Sequence, residues 1–177
     1  MGDAIRYKYP KKTHFDVVIM EMLTTAMVDE FQIQAINNLH KQKVVSPDTV
    51  FIPHRLDSYA SLAYKDFKMY GFEFKMVKHL WNNLSENHKV HIFSEEVLMH
   101  SVDFSFITKE KFQKVMYFPI VKDGTINCLR LSSRTFLSPG MTINDTETLN
   151  APVVFPIEET KVKAGGFIKV KISYNFG

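Results

Sequence analysis

The spacing of apolar positions changes along this chain, and the change divides it. Phe15-Asp-Val-Val-Ile-Met20 is a short, nearly continuous apolar run closed by Glu21, the pattern of a strand buried on both faces of a parallel sheet. From Asp29 onward, Phe31, Ile33, Ile36 and Leu39 recur at helical spacing, with Asp29 and Glu30 at the front to suit the helix dipole. A strand followed by an amphipathic helix is the repeating unit of an open α/β sheet. A central parallel strand needs neighbours joined by crossover segments, and the irregular residues before Phe15 supply none. The strand's partners are expected outside these residues.

Beyond Pro47 the period becomes two. Ile168, Val170, Ile172, Tyr174 and Phe176 alternate with Lys169, Lys171, Ser173 and Asn175, which predicts a half-buried antiparallel strand. Val102, Phe104 and Phe106 alternate in the same way with Ser101, Asp103 and Ser105. Asp123-Gly124, Ser138-Pro139-Gly140 and Gly165-Gly166 supply turn residues between such strands. One segment breaks the pattern: Phe67, Tyr70, Phe74, Val77, Trp81 and Leu84 are three and four apart, which predicts a helix with an aromatic stripe facing a core or a partner. The expected fold class is α+β, mainly β. Residues 1–45 read as the last strand and helix of a Rossmann-like sheet, and residues 46–177 as an antiparallel β-barrel or sandwich with one helical insertion. The join falls at Ser46-Pro47-Asp48.

Composition narrows the setting. With 177 residues and 45% apolar content, the chain can bury a substantial core. Its net charge of +3 comes from 22 basic and 19 acidic residues without a long run of one sign, so a polyanionic partner has weak support. The lysines between Lys161 and Lys171 alternate with apolar positions and read as a solvated strand face, which makes nucleic acid an unfavoured ligand. A lone cysteine, Cys128, excludes an internal disulfide and a thiolate-rich zinc site, and fits a reducing, cytoplasmic compartment. His79, His88, His91 and His100 follow no standard ligand spacing. Ser101, Ser132 and Ser133 lack the nucleophile-elbow context of a hydrolase. No apolar stretch approaches the roughly 18 to 20 residues of a membrane span.

The candidate chemistry lies where the first strand ends. In open α/β sheets, ligands bind outside the carboxyl ends of the strands, and Glu21 occupies that place. Met22-Leu-Thr-Thr-Ala-Met-Val-Asp29 is short enough to return Glu30 toward the same point. Two facing carboxylates raise one another's proton affinity unless a cation lies between them. A guanidinium suits such a site, because its planar fork donates to both and stays charged. Spacing alone favours two solvated or capping glutamates.

The whole segment, E-M-L-T-T-A-M-V-D-E entered from F-D-V-V-I-M and followed by an apolar helix, resembles the double-glutamate loop of the protein arginine methyltransferase family. Val50-Phe-Ile-Pro53 with Tyr59 resembles that family's passage into its barrel, and Tyr70-Gly-Phe-Glu73 its aromatic segment before the dimerisation arm. Thr148 to Ile157 and Gly165 to Gly177 are similar to its closing strands. The sequence departs from the family at Met22 and Thr24, where tryptophan and glycine are usual, and at Thr148-Leu149-Asn150, where the family carries Thr-His-Trp. The family's glycine-rich cofactor motif is absent from these residues.

The resemblance implies a class I methyltransferase whose donor is S-adenosylmethionine, with Glu21 and Glu30 clamping a cationic group of a protein or peptide substrate. It implies that Asp3, within Gly2-Asp3-Ala4, contacts the adenine. It further implies a homodimer formed through the barrel arm. With no glycine-rich turn or ribose-binding acid, the isolated chain is expected to bind the cofactor weakly or not at all and to be inactive, the complete methyltransferase being a longer parent. The alternative is a non-catalytic barrel module for docking and dimerisation.

Overall fold

The computed structural model describes residues 2–81, 89–145 and 150–177. Strand β1 (Val17–Ile19) forms in the predicted apolar run. It leads through a 3-10 turn at Thr25–Met27 to helix α1 (Gln32–Lys41) and then to strand β2 (Val50–Ile52). β1 and β2 pair in parallel, with Val17 opposite Val50 and Ile19 opposite Ile52. The parallel reading therefore holds, but burial on both faces does not. Val18 and Met20 pack with Ile33, Ile36, Leu39 and Phe51, whereas Val17 and Ile19 are 50% and 75% exposed. The reason is geometric: α1 covers only one face of a two-stranded pair. β2 lies beyond Ser46 in sequence, so the ladder to β1 crosses the expected join.

α1 also begins later than its apolar spacing suggests. Glu30 has φ 60°, a left-handed conformation that a right-handed helix cannot include. Asp29 and Glu30 consequently precede the helix, and its first turn holds no acidic residue. His40 and Lys41 occupy the last turn, where positive charge meets the helix dipole favourably.

The rest is antiparallel. Its strands are β3 (Arg55–Lys65), β4 (Lys68–Met69), β5 (Phe72–Glu73), β6 (Lys78–His79), β7 (Val90–Ile92), β8 (Val97–Asp103), β9 (Lys111–Pro119), β10 (Gly124–Ser138), β11 (Met141–Ile143), β12 (Val153–Val162) and β13 (Phe167–Asn175). A seven-stranded sheet runs β6-β12-β10-β3-β7, with β8 also on β3 and β11 on β10. β9 and β13 form a separate ladder, Phe167 opposite Pro119 through Asn175 opposite Lys111. The alternation of β13 is as predicted: Ile168, Val170, Ile172 and Tyr174 pack on Leu62, Leu129, Leu131 and Phe118, while the lysines face outward. Burying one face of each sheet against the other supplies the main driving force. Gly140 and Gly165 have φ 83° and 80°, the turn conformations expected of them. The architecture is mainly β, as the alternating pattern implied.

Two element readings are corrected. The aromatic stripe is not a helix: Lys68–Met69 pairs with Phe72–Glu73 around Tyr70 and Gly71, whose φ values are 51° and 82°. Lys78 and His79 then pair with Val154 and Val153 of β12. Two left-handed residues stop a helix within a turn, and the edge of β12 offers the following backbone a ladder that a helix would forgo. Leu84 lies outside the described residues. The second correction concerns β8, which ends at Asp103. Phe104 is buried beyond it and Phe106 is 67% exposed, so their alternation does not mark strand residues. No helix among the described residues is long and apolar enough to cross a membrane.

Candidate functional site

The loop between β1 and α1 is built by backbone that few sequences tolerate. Ala26 and Met27 have φ 56° and 52°, and both are fully buried. Non-glycine residues in this region each cost on the order of 1 kcal/mol or more, so the surroundings must hold them. They do so from several strands. The Ala26 amide donates to Ser133 Oγ at 2.9 Å, and the Ala26 carbonyl accepts from the Tyr174 hydroxyl at 2.9 Å. The Met27 carbonyl accepts from the Gly177 amide at 3.1 Å. The Thr25 hydroxyl lies 2.6 Å from the Ala151 carbonyl and 2.9 Å from Asn150 Oδ1. Polar groups of Thr25, Ala26 and Met27 are thus matched from β10, β13 and the segments at residues 150–151 and 177.

This kink reverses the chain between the two glutamates. Glu21 follows β1 and is exposed; Glu30, also exposed, directly precedes α1. Packing around the Glu30 carboxyl, then the Asp29 charge, then the Glu21 charge, raise its proton affinity above the ordinary value. Of the charges that act on the Glu30 carboxyl, Asp29 next to it contributes more than Glu21 at the start of the loop. Asp29 joins them as a third acid. Its carboxylate is held by the Thr24 hydroxyl and lies 3.4 Å from His79 Nε2. His79 in turn stacks on Trp81, with ring centroids 5.5 Å apart. An acidic mouth flanked by an aromatic ring can hold an organic cation through ion pairing, hydrogen bonds and cation–π attraction.

Glu21 also lines a depression of about 400 Å³ with Ala4, Tyr9, Val17, Ile19 and Met22. Asp3 is adjacent to Ala4, but its carboxylate accepts the Ile5 amide at 3.0 Å and so caps its own turn. The residues present do not fit a complete S-adenosylmethionine site: the depression is mainly apolar, and Glu21 is the one acid among the described residues that line it. Among the described residues no group of three potential metal ligands lies together; His88 is outside them.

Sequence reading placed Asp29 at the end of the loop but missed His79, Trp81 and Tyr174 as its neighbours. Trp81 was assigned to a helical stripe, His79 was weighed only as a metal ligand, and Tyr174 was assigned to a core strand face. Nothing local in the sequence marks these three, because each reaches the loop only through the pairing of strands distant in sequence.

No family profile matches the chain. It is 28% identical over 176 residues to an uncharacterized protein of Methanocaldococcus jannaschii and 25% identical over 177 residues to one of Methanothermobacter thermautotrophicus. Each match covers 99% of the chain but 62% of the relative, so the chain spans less than two thirds of the length of these relatives. In three dimensions it is similar to a chain of the Trypanosoma brucei PRMT1 enzyme-prozyme heterotetrameric complex with AdoHcy. The TM-score is 0.70 at 11% identity, over 95% of this chain and 60% of that one. Nearly the whole of this chain thus shares its fold with part of that neighbour.

Proposed function

We propose that this chain forms the acceptor side of an S-adenosylmethionine-dependent methyltransferase, with Glu21 and Glu30 holding a cationic group of a protein or peptide. The observation that carries this reading is the kinked loop between β1 and α1, held at Ala26 by Ser133 and Tyr174, with Glu21 at its start and Glu30 at its end, where burial, then Asp29, then Glu21 raise the proton affinity of the Glu30 carboxyl. A bound guanidinium removes that repulsion, because both carboxylates then face positive charge. The fold similarity supports the same assignment, since that neighbour was obtained with AdoHcy.

In this reading the carboxylates orient the planar cation and draw its charge toward themselves, leaving one nitrogen richer in electron density for attack. Asp3 is offered to an adenine through its second carboxylate oxygen. The methyl donor is held mainly by a part of a longer parent outside these residues, and the isolated chain is inactive. Buried Cys128 is consistent with a reducing cytoplasm, and a homodimer is the expected assembly.

A second reading has its own support. Tyr70, Phe72 and Met76 are 92%, 67% and 60% exposed on the β4–β5 hairpin and its exit, an apolar surface suited to a protein partner. On that view the chain is a docking and dimerisation module without chemistry.

The test is Glu21→Gln and Glu30→Gln, each titrated with acetyl-Gly-Arg-Gly amide and with its lysine and norleucine counterparts. Clamping predicts that either substitution weakens binding of the cationic peptides by about tenfold or more. Equal binding of all three peptides to every variant overturns the clamp and leaves the docking reading.

A further inference from the structure

The polar groups buried beneath the carboxylate loop form a row across three strands. His100 of β8 lies opposite Ser58 of β3, and Ser58 lies opposite Ser133 of β10. Directly opposed residues point to the same face of a sheet, here the face beneath Ala26. Tyr174 crosses from the β9–β13 ladder to meet this row. Its hydroxyl donates to the Ala26 carbonyl at 2.9 Å and lies 2.8 Å from His100 Nε2.

Proton bookkeeping fixes the direction of this chain of bonds. The Ala26 carbonyl can only accept, so the Tyr174 hydrogen goes to it. The Tyr174 oxygen must then accept, and His100 must carry its hydrogen on Nε2. Burial, with a smaller contribution from Lys114, holds His100 at about 4, so it is neutral near pH 7 and Nδ1 carries no hydrogen. Nδ1 has no hydrogen-bond partner among the described residues, which a protonated ring in the same place would turn into a buried, unanswered donor. Three rings, Phe112, Tyr174 and Phe176, surround the imidazole at centroid distances of 4.9, 6.4 and 5.1 Å. The ring is therefore fixed in place and tautomer.

We infer that Tyr174, oriented by His100, is a positioning residue that sets the separation of Glu21 and Glu30 by holding the left-handed turn at Ala26 and Met27. This rests on the clamp reading. The logic is mechanical: the turn stands in a conformation that its residues disfavour, and the Tyr174 hydroxyl is the contact from the β9–β13 ladder to its central carbonyl. Release of that carbonyl lets residues 26 and 27 return to right-handed dihedrals, which redirects the chain entering Asp29 and Glu30. Tyr174 reaches no substrate itself.

The experiment compares the unmodified chain with Tyr174→Phe, which keeps the ring and deletes the hydroxyl. Ile172→Val on the same strand serves as a control of comparable stability loss. Two quantities are read: the Glu30 carboxyl titration midpoint by carbon-detected NMR, and affinity for acetyl-Gly-Arg-Gly amide. Tyr174→Phe is expected to move the Glu30 midpoint down toward the ordinary glutamate value and to weaken the peptide roughly three- to tenfold. Ile172→Val is expected to change neither. If Tyr174→Phe leaves the midpoint where it was, or Ile172→Val shifts it equally, the positioning role is overturned. Failure of the clamp reading is separately visible, because Glu21→Gln and Glu30→Gln would then leave peptide affinity unchanged while the midpoint still reports on Tyr174.

Discussion

Ser133 and Ser58 offer a matched test of what holds the carboxylate loop. They face one another across β10 and β3, point to the same interior, and are 1% and 0% exposed. They differ in their partners. Ser133 Oγ accepts the buried Ala26 amide at 2.9 Å, whereas Ser58 Oγ has no hydrogen-bond partner among the described residues. Ser133→Ala leaves the amide of a fully buried residue without an acceptor, a cost of about 1–3 kcal/mol. For a chain of this length that lowers Tm by about 2–12 °C, taking about 2–4 °C per kcal/mol. Ser58→Ala removes a hydroxyl that is already unanswered, so its effect is expected between zero and a gain of about 1 kcal/mol. Both substitutions delete the same oxygen, so differences in side-chain volume cancel. Urea unfolding provides the assay, with the midpoint falling for Ser133→Ala, steady or rising for Ser58→Ala, and the same slope in both. Equal destabilisation by the two would refute the reasoning, since burial alone and not the Ala26 bond would then set the cost.

Acid should unfold the protein partly through His100. Its folded value of about 4 lies below the ordinary 6.5, so the stability it contributes is present above pH 6.5 and is lost as pH falls toward 4, by about 3 kcal/mol at most. Glu30 and Asp145 are both raised, chiefly by burial, and act in the opposite sense. The difference in urea midpoint between pH 7 and pH 4.5 should therefore shrink in His100→Asn; an unchanged difference would exclude this role. Cys128 is fully buried, and burial holds its thiol at about 12, so it should react with a thiol reagent only at the rate of unfolding. Rapid labelling of the native chain would contradict that. Phe72→Asp combined with Met76→Asp should reduce self-association in sedimentation velocity without lowering Tm, because both side chains are exposed. An unchanged sedimentation coefficient in an associating sample would remove the hairpin from the interface.

Local chemistry was enough to locate the parts of this protein whose burial follows from neighbours close in sequence. The apolar run at Phe15–Met20 found β1, the spacing of Ile33, Ile36 and Leu39 found α1, and the alternation from Ile168 to Tyr174 found β13. In α1 and β13 one period of the chain matches one buried face, so the pattern carries the structure; in β1 the apolar run located the strand but not its burial, since Val17 and Ile19 are exposed. Glu21 and Glu30 were also legible as candidates, because a strand end and a helix start are local features. Their arrangement was not. The left-handed turn at Ala26 and Met27 exists because Ser133, Tyr174 and the amide of Gly177 meet it from far along the chain, and no local preference of alanine or methionine favours it. The segment from Phe67 to Trp81 failed for the related reason that a three-and-four spacing describes a helix only when nothing competes for the backbone. Here the edge of β12 did compete, and the turn at Tyr70-Gly71 delivered the chain to it. Sequence determined which segments could form a sheet and where acids would gather; long-range pairing decided how the loop between them bends and which side chains hold it.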